Sequence, residues 1–463
     1  MTEVATPNSV PQKVVPVIDT MPADLLTPLA VYLKLAKIGN NAFLLESVEG
    51  GANLARYSFI GVNPKEVVQG DRANIFDLLR GHFADKVLAS QDELPSFVGG
   101  AIGYMGFDCV EWFEPSLRTK ASSSEAKFMI FDSVVAFDHV RQLILIISLA
   151  FGGEANEAAR RNSEIRKILE NGELNLPTIS SQIEESTVAS NWTQTDFEDA
   201  VSRIKDLIFA GECYQVVLSQ RFERRTNASA VSIYRALRSI NPSPYMFLLQ
   251  VDGRSIIGAS PEMLVRCRDK KLEYRPIAGT RPRGKHGAED ERLAEEMRLD
   301  IKETAEHMML VDLGRNDLGR AAKYGTVNVD RLMEVEKYSH VQHLVSQLSA
   351  ELADGRDRFD ALAACFPAGT VSGAPKVRAI EIVRDLEPTP RGIYAGAVGY
   401  FDYGGNMDTC IAIRTLVLDD GVATIQAGAG IVADSIPERE YQETLDKARV
   451  MLKAIEIAEG SAK

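Results

Sequence analysis

Two short acidic repeats carry chemistry in this chain: Glu303-Thr-Ala-Glu306 and Glu440-Tyr-Gln-Glu443. Each pair is spaced i, i+3, so a helix sets both carboxylates on one face. A solvated acidic face has the same spacing, and the chain holds 65 acidic residues. Two features point instead to burial. Leu299 and Leu310 fall on the side of Glu303 and Glu306, and Met308-Met-Leu-Val311 is apolar all round. Val450 falls on the side of Glu440 and Glu443. Buried carboxylate pairs repel one another unless a cation neutralises them. Oxygen-only ligands favour a hard ion, Mg2+ over Zn2+.

A second feature is Phe366-Pro-Ala-Gly-Thr-Val-Ser-Gly-Ala-Pro-Lys376, which runs into the apolar spacing of Val377 to Val383. Gly369, Gly373 and Pro375 cannot form a helix interior; the residues after Lys376 can. A glycine-rich turn opening a helix presents free N–H groups and suits an anion. It is no Walker A loop, because six residues separate Gly369 from Lys376 and Pro375 stands where a glycine should be.

The elements that must position these residues follow from periodicity. Leu293, Met297, Ile301, Ala305 and Met308 form the stripe of one long helix over 288–313. Tyr441, Leu445, Ala448, Leu452 and Ile455 form that of a helix over 437–458, opened by Ser435-Ile-Pro-Glu438 as a capping box with an early proline. Helices are also expected over 155–171 and 195–210, and around His343 in Val341-Gln-His-Leu344. Strands are expected at 214–222, 245–251, 255–259, 396–401, 409–418 and 422–425, with a hairpin from 131–137 and 143–147. Strands in runs rather than strict βα alternation define an α+β class. The chain divides into a loose tail over 1–15, an N-terminal region over 16–180, a Ser/Thr-rich linker over 181–194 and a second region over 195–463.

Composition narrows the function. At 463 residues and 45% apolar content, the chain can bury a large core. A net charge of −13 argues against nucleic acid. Leu143–Phe151 is too short for a membrane span, and no charged start precedes an apolar run, so neither membrane nor secretion is expected. Five scattered cysteines without a C-x-x-C pair fit reduced thiols and a cytoplasmic location.

Four motifs, in order, make the chain recognisable: Pro276-Ile-Ala-Gly-Thr-Arg-Pro-Arg-Gly284, Glu306-His-Met-Met-Leu-Val-Asp-Leu-Gly-Arg-Asn-Asp317, the Phe366–Lys376 run, and Gly428-Ala-Gly-Ile-Val432. They resemble those of the chorismate-utilising enzymes, over nearly the whole chain from about Val17 to Ala458. The resemblance implies two large antiparallel sheets packed as a sandwich, with helices outside. It implies Mg2+-dependent addition of a nucleophile to chorismate with loss of the C4 hydroxyl. By motif, Glu306 and Glu443 would bind Mg2+ directly, with Glu303 and Glu440 behind them, Glu303 also being placed among the catalytic residues. Glu262, in Gly258-Ala-Ser-Pro-Glu262, would be the acid for the C4 hydroxyl, and His343 the catalytic histidine of a later elimination. Thr370, Tyr394, Arg414, Gly428, Gly430 and Lys447 would face the substrate.

Two positions divide the family's branches. Members that add water carry a lysine base where this chain has Gln215, also placed in the catalytic site; a neutral amide cannot deprotonate water. The aminodeoxychorismate branch has a lysine where this chain has Ala278, which removes that candidate nucleophile. Both point to the anthranilate branch, in which ammonia is added and pyruvate eliminated, the first step of tryptophan biosynthesis; the aminodeoxychorismate branch of folate biosynthesis is the alternative. No glutaminase segment is legible, so the resemblance implies a glutamine amidotransferase partner in a heterotetramer of two large and two small subunits. The segments holding Leu45, Ser47, Arg56, Tyr57, Pro244, Tyr245 and Met246 resemble the family's site for tryptophan as feedback inhibitor. Pro244 and Met246 suit an indole, methionine being adaptable around aromatics.

Overall fold

The protein, a computed structural model, is described over residues 11–47, 56–70, 75–89, 93–118, 124–174, 187–284, 286–337 and 341–460. Among these, β-branched and aromatic runs build sheets of thirteen and ten strands. Pairing is antiparallel except where Gln12–Pro22 meets Lys86–Leu88. The sheets pack face to face. Phe43 of the larger meets Phe131 of the smaller edge-on, ring centroids 4.8 Å apart, in a core that includes Phe59, Phe97 and Tyr104. Helices Pro28–Leu35, Ala155–Asn171, Ala230–Ile240 and Pro437–Ala458 cover the larger sheet. Ile75–Phe83, Ile301–Gly319 and Arg358–Cys365 cover the smaller. The fold is the expected α+β sandwich.

Each sheet takes strands from both sides of residues 181–194. Ala42–Glu46 pairs with Tyr245–Val251, and Gly100–Met105 with Ala397–Asp402. Residues 181–186 lie outside the described residues, Ala189–Ser190 joins the larger sheet, and a helix starts at Gln194. At the N-terminus, residues 12–15, expected as tail, already belong to a strand.

Several local expectations are corrected. The helix expected over 288–313 is two helices, Gly287–Leu299 and Ile301–Gly319. Asp300 leaves helical backbone and caps the second, accepting from the amides of Lys302 and Glu303. Ile301 is then 84% exposed and Leu299 71%, and the five-residue stripe does not exist. The Ser435 capping box does not form either, because its hydroxyl accepts from Val432 N. His343 lies on a strand, Val341–Glu351, whose alternation buries Gln342, Leu344, Ser346 and Leu348.

The expected strand over 409–418 splits as well. Met407–Ile411 belongs to the smaller sheet and Thr415–Asp419 to the larger. Arg414, at a φ of +49°, occupies the crossing between them. A second crossing joins Arg254–Ser260 of the larger sheet to Met263–Arg268 of the smaller, and Glu262 sits in it. Two of the charged residues singled out by motif therefore occupy points where the chain passes from one sheet to the other.

Candidate active site

The crossing at Glu262 is held by backbone. Ser260 Oγ donates to Ile411 O at 2.7 Å, and Ile411 N donates to Glu262 O at 3.1 Å. The carboxyl itself is buried, and burial pushes its pKa up to about 8, against the opposing pull of Thr370 and Lys447. The Thr370 hydroxyl favours the charged form from nearby, yet it closes no hydrogen bond in this arrangement. Burial thus favours the protonated form of Glu262 near neutral pH.

The cationic side is supplied by Arg414 and Lys447. Burial lowers the Arg414 pKa, while Tyr394 and Glu443 favour its charge. Among the described residues its guanidinium has no hydrogen bond or ion pair. Lys447 Nζ donates to Gly428 O at 2.8 Å and pairs with Glu443 at 2.6 Å. Arg414, Glu443 and Lys447 border an opening of about 560 Å³.

Two glycines of the Val422–Ile431 strand let side chains close in. A Cβ on Gly428 would lie 2.7 Å from Tyr394 Oη, and one on Gly430 would lie 2.8 Å from Gln215 Nε2. Burial lifts the Tyr394 hydroxyl to about 12, so it stays a neutral donor. The glycine-rich run behaves as a positioning turn. Gly373, at a φ of +132°, pairs with Val216 beside Gln215. Lys376 at the head of the next helix is committed to buried Asp317 at 2.9 Å.

The four motif glutamates come together only in part. Burial raises the Glu306 carboxyl, with Glu303 and then Glu443 adding repulsion. Burial also raises Glu440, with Glu443 adding. Gln215 Nε2 donates to Glu306 at 3.4 Å, Arg281 engages Glu303 at 2.9 Å, and Lys447 engages Glu443. The pairs are less buried than their sequence implies: Glu443 is 45% exposed and Glu303 25%. Among the described residues no three acidic, His or Cys side chains converge as a metal cage. Magnesium needs no such cage, since one or two carboxylates plus substrate and water suffice. Mutual repulsion of Glu306 with Glu303 and Glu443 fits a cation shared between the two helices.

His343 is opposite Thr280 in strand register. Its Nδ1 lies 2.8 Å from Gly279 O, where it donates, and 3.1 Å from Thr280 Oγ1. That donation sets which nitrogen carries the proton. Gly279 in turn packs against Glu303: a Cβ on this glycine would lie 3.2 Å from Glu303 Oε2. Ala278 lies in the same strand as Gly279 and Thr280.

The segments assigned to an inhibitor gather elsewhere. Leu45, Ser47, Arg56, Tyr57, Pro244, Tyr245 and Met246 all line one cavity of about 640 Å³ between the sheets. Ser47 Oγ is buried without a partner among the described residues. Glu46, raised by burial, is held by Tyr234 at 2.6 Å and Arg238 at 3.2 Å. The far wall, with Val398, Tyr400 and Asp408, was not foreseen from sequence. Those residues read as ordinary strand positions; no local signal marks them.

Fold and site together define a chorismate-utilising enzyme. The model of the chorismate binding enzyme family matches residues 40–453, and the chain belongs to that family. It is 44% identical to anthranilate synthase component 1 of Acetivibrio thermocellus, over 96% of each chain. It is 46% identical to a probable anthranilate synthase component 1 of Schizosaccharomyces pombe, over 96% of this chain and 94% of that one. Its fold superposes on a crystal structure of anthranilate synthase component I from Streptococcus pneumoniae with a TM-score of 0.78 and 35% identity, covering 93% and 98% of the two chains.

Proposed function

We propose that the chain converts chorismate and ammonia to anthranilate and pyruvate, using Mg2+ and ammonia delivered from glutamine by a partner glutaminase subunit. The observation that carries this reading is the buried Glu262 carboxyl at a crossing between the sheets, where burial favours its protonated form against Thr370 and Lys447. Ammonia adds at C2, the ring double bond shifts, and the C4 hydroxyl departs as water with the Glu262 proton. Arg414 and the Tyr394 hydroxyl are suited to hold a substrate carboxylate. Glu306 and Glu443 would hold Mg2+, which supplies charge stabilisation at the ring carboxylate. Elimination then removes the C2 proton and breaks the enolpyruvyl ether, giving pyruvate and an aromatic ring. Gln215 offers no base for water, and Ala278 no amine, which favours this branch.

The test is direct. The purified chain with chorismate, ammonium and Mg2+ should produce anthranilate fluorescence, and glutamine alone should not replace ammonium. Formation of isochorismate, or of a C4-aminated product, would overturn the reading.

His343→Met should still consume chorismate but accumulate an aminated, non-aromatic intermediate, visible by liquid chromatography. Normal anthranilate formation by that variant would remove His343 from the elimination.

Tryptophan, at the 640 Å³ cavity, should inhibit. The Ser47 hydroxyl, without a partner among the described residues, and the Glu46 carboxyl suit the two ends of an amino acid. Inhibition requires tighter binding to a low-activity arrangement than to the active one. Ser47→Phe fills the cavity and should relieve inhibition while leaving turnover largely intact. An unchanged inhibition curve would show that the site is misplaced.

A further inference from the structure

Beneath the substrate-facing residues lies an ion pair that the proposed chemistry does not use. The side chains of Arg391 and Glu387 are 2% and 4% exposed and pair through two contacts of 2.7 and 2.9 Å. Arg391 also donates to Val371 O at 2.7 Å and to Val217 O at 2.6 Å. Glu387 accepts from both Ser219 N and Ser219 Oγ, at 2.8 and 2.7 Å. The guanidinium lies over the Phe107 ring at 4.5 Å and the Tyr394 ring at 5.6 Å.

These contacts lead to the substrate-facing residues. Val217 and Ser219 stand opposite Gly430 and Gly428 in register, on the strand that begins with Gln215. Val371 follows Thr370 directly. The stacked ring is that of Tyr394, which closes on Gly428. One buried pair thus ties together three separate segments, each bearing a residue that would touch the substrate.

Stability does not require such a pair. Desolvation offsets much of the attraction between two buried charges, and an apolar pair of similar volume is often equally stable. What an apolar pair cannot supply is the set of directed hydrogen bonds to Val217, Val371 and Ser219. We propose that Arg391 and Glu387 are positioning residues for the substrate cradle, fixing the spacing of the Thr370 turn, the Gln215 strand with its two facing glycines, and the Tyr394 ring. This rests on the reading of that cradle as the chorismate site.

The test compares Arg391→Lys, Glu387→Gln and the double variant Arg391→Met/Glu387→Met with wild type. Denaturant midpoints report stability, chorismate kinetics with ammonium report the site, and amide hydrogen exchange reports local order. The double variant removes the uncompensated buried charge and should be more stable than Glu387→Gln, though below wild type because Ser219 N and the Val217 and Val371 carbonyls lose these partners. Its KM for chorismate should stay raised by about tenfold or more, with a smaller change in kcat. Exchange should quicken at residues 214–219, 368–372 and 428–431, and stay unchanged in Tyr245–Val251. Wild-type KM in a stable double variant, or uniform quickening of exchange, overturns the proposal. If the double variant does not fold, Arg391→Lys decides: it keeps the charge but loses the fork, and wild-type KM with unchanged exchange would be fatal. Failure of the functional reading shows separately, as absence of turnover by the wild type, and the exchange pattern still judges the positioning role.

Discussion

Replacing Glu262 with glutamine should lower chorismate consumption by about 10²- to 10⁴-fold, the range expected for loss of a positioned general acid. The substitution keeps the size and polarity of the side chain but removes the transferable proton. The pH dependence should name the same group. With free ammonia held constant, wild-type turnover should decline as pH rises through about 8, where Glu262 loses its proton. The same shift enters stability. In the folded state Glu262 holds its proton above the pH at which an unfolded glutamate releases it. The folded state therefore binds more protons than the unfolded state between 4.5 and about 8. Its contribution is complete below that window and is lost as pH rises through it. Glu262→Gln should flatten this part of the stability profile. Unaltered turnover in the variant, or an unaltered alkaline limb, would show that another group supplies the proton.

Chelation is the second test with a large expected effect. EDTA should abolish turnover, and added Mg2+ should restore it. Glu306→Gln and Glu443→Gln should each lower kcat by about 10²- to 10³-fold, comparable to losing one electrostatic contact with the transition state. Stability should move the other way for Glu306→Gln. Glu303 and Glu443 repel the Glu306 carboxylate, and Gln215 can still reach the neutral amide. Without metal, that variant should be at least as stable as the wild type in chemical denaturation. Full activity of wild type or variant in chelator would refute the metal assignment. A large loss of stability in Glu306→Gln would mean that the carboxylate serves a structural contact instead.

The helices Ala155–Asn171 and Pro437–Ala458 and the strand Tyr245–Val251 have the bounds that periodicity predicts. In each, the apolar spacing agrees with the burial that the fold imposes, so local and global preferences coincide. The seven residues whose segments resemble an inhibitor site lie far apart in sequence and line one cavity. Periodicity failed where a side chain changed partner. Asp300 caps a new helix rather than continuing the old one, and the Ser435 hydroxyl accepts from Val432 N instead of capping the amides of the helix after it. His343 misled because Val341, Leu344, Val345 and Leu348 recur at a helical spacing, and only pairing with neighbouring strands makes the segment a strand.

Residue type and order by themselves determined the α+β class, the two carboxylate pairs and the absence of a lysine at 215 and 278. Tertiary structure alone decided which of these groups meet and in what state. Glu262 is an ordinary carboxylate until the passage from one sheet to the other buries it, and Arg414 an ordinary arginine until the second passage buries it without a partner among the described residues. Arg391 and Glu387 read as one more i, i+4 pair, yet their contacts reach across 174 residues of sequence to Val217. Such properties arise from desolvation and from contacts between distant segments. Both depend on where the chain returns in space, and spacing along the sequence does not encode that.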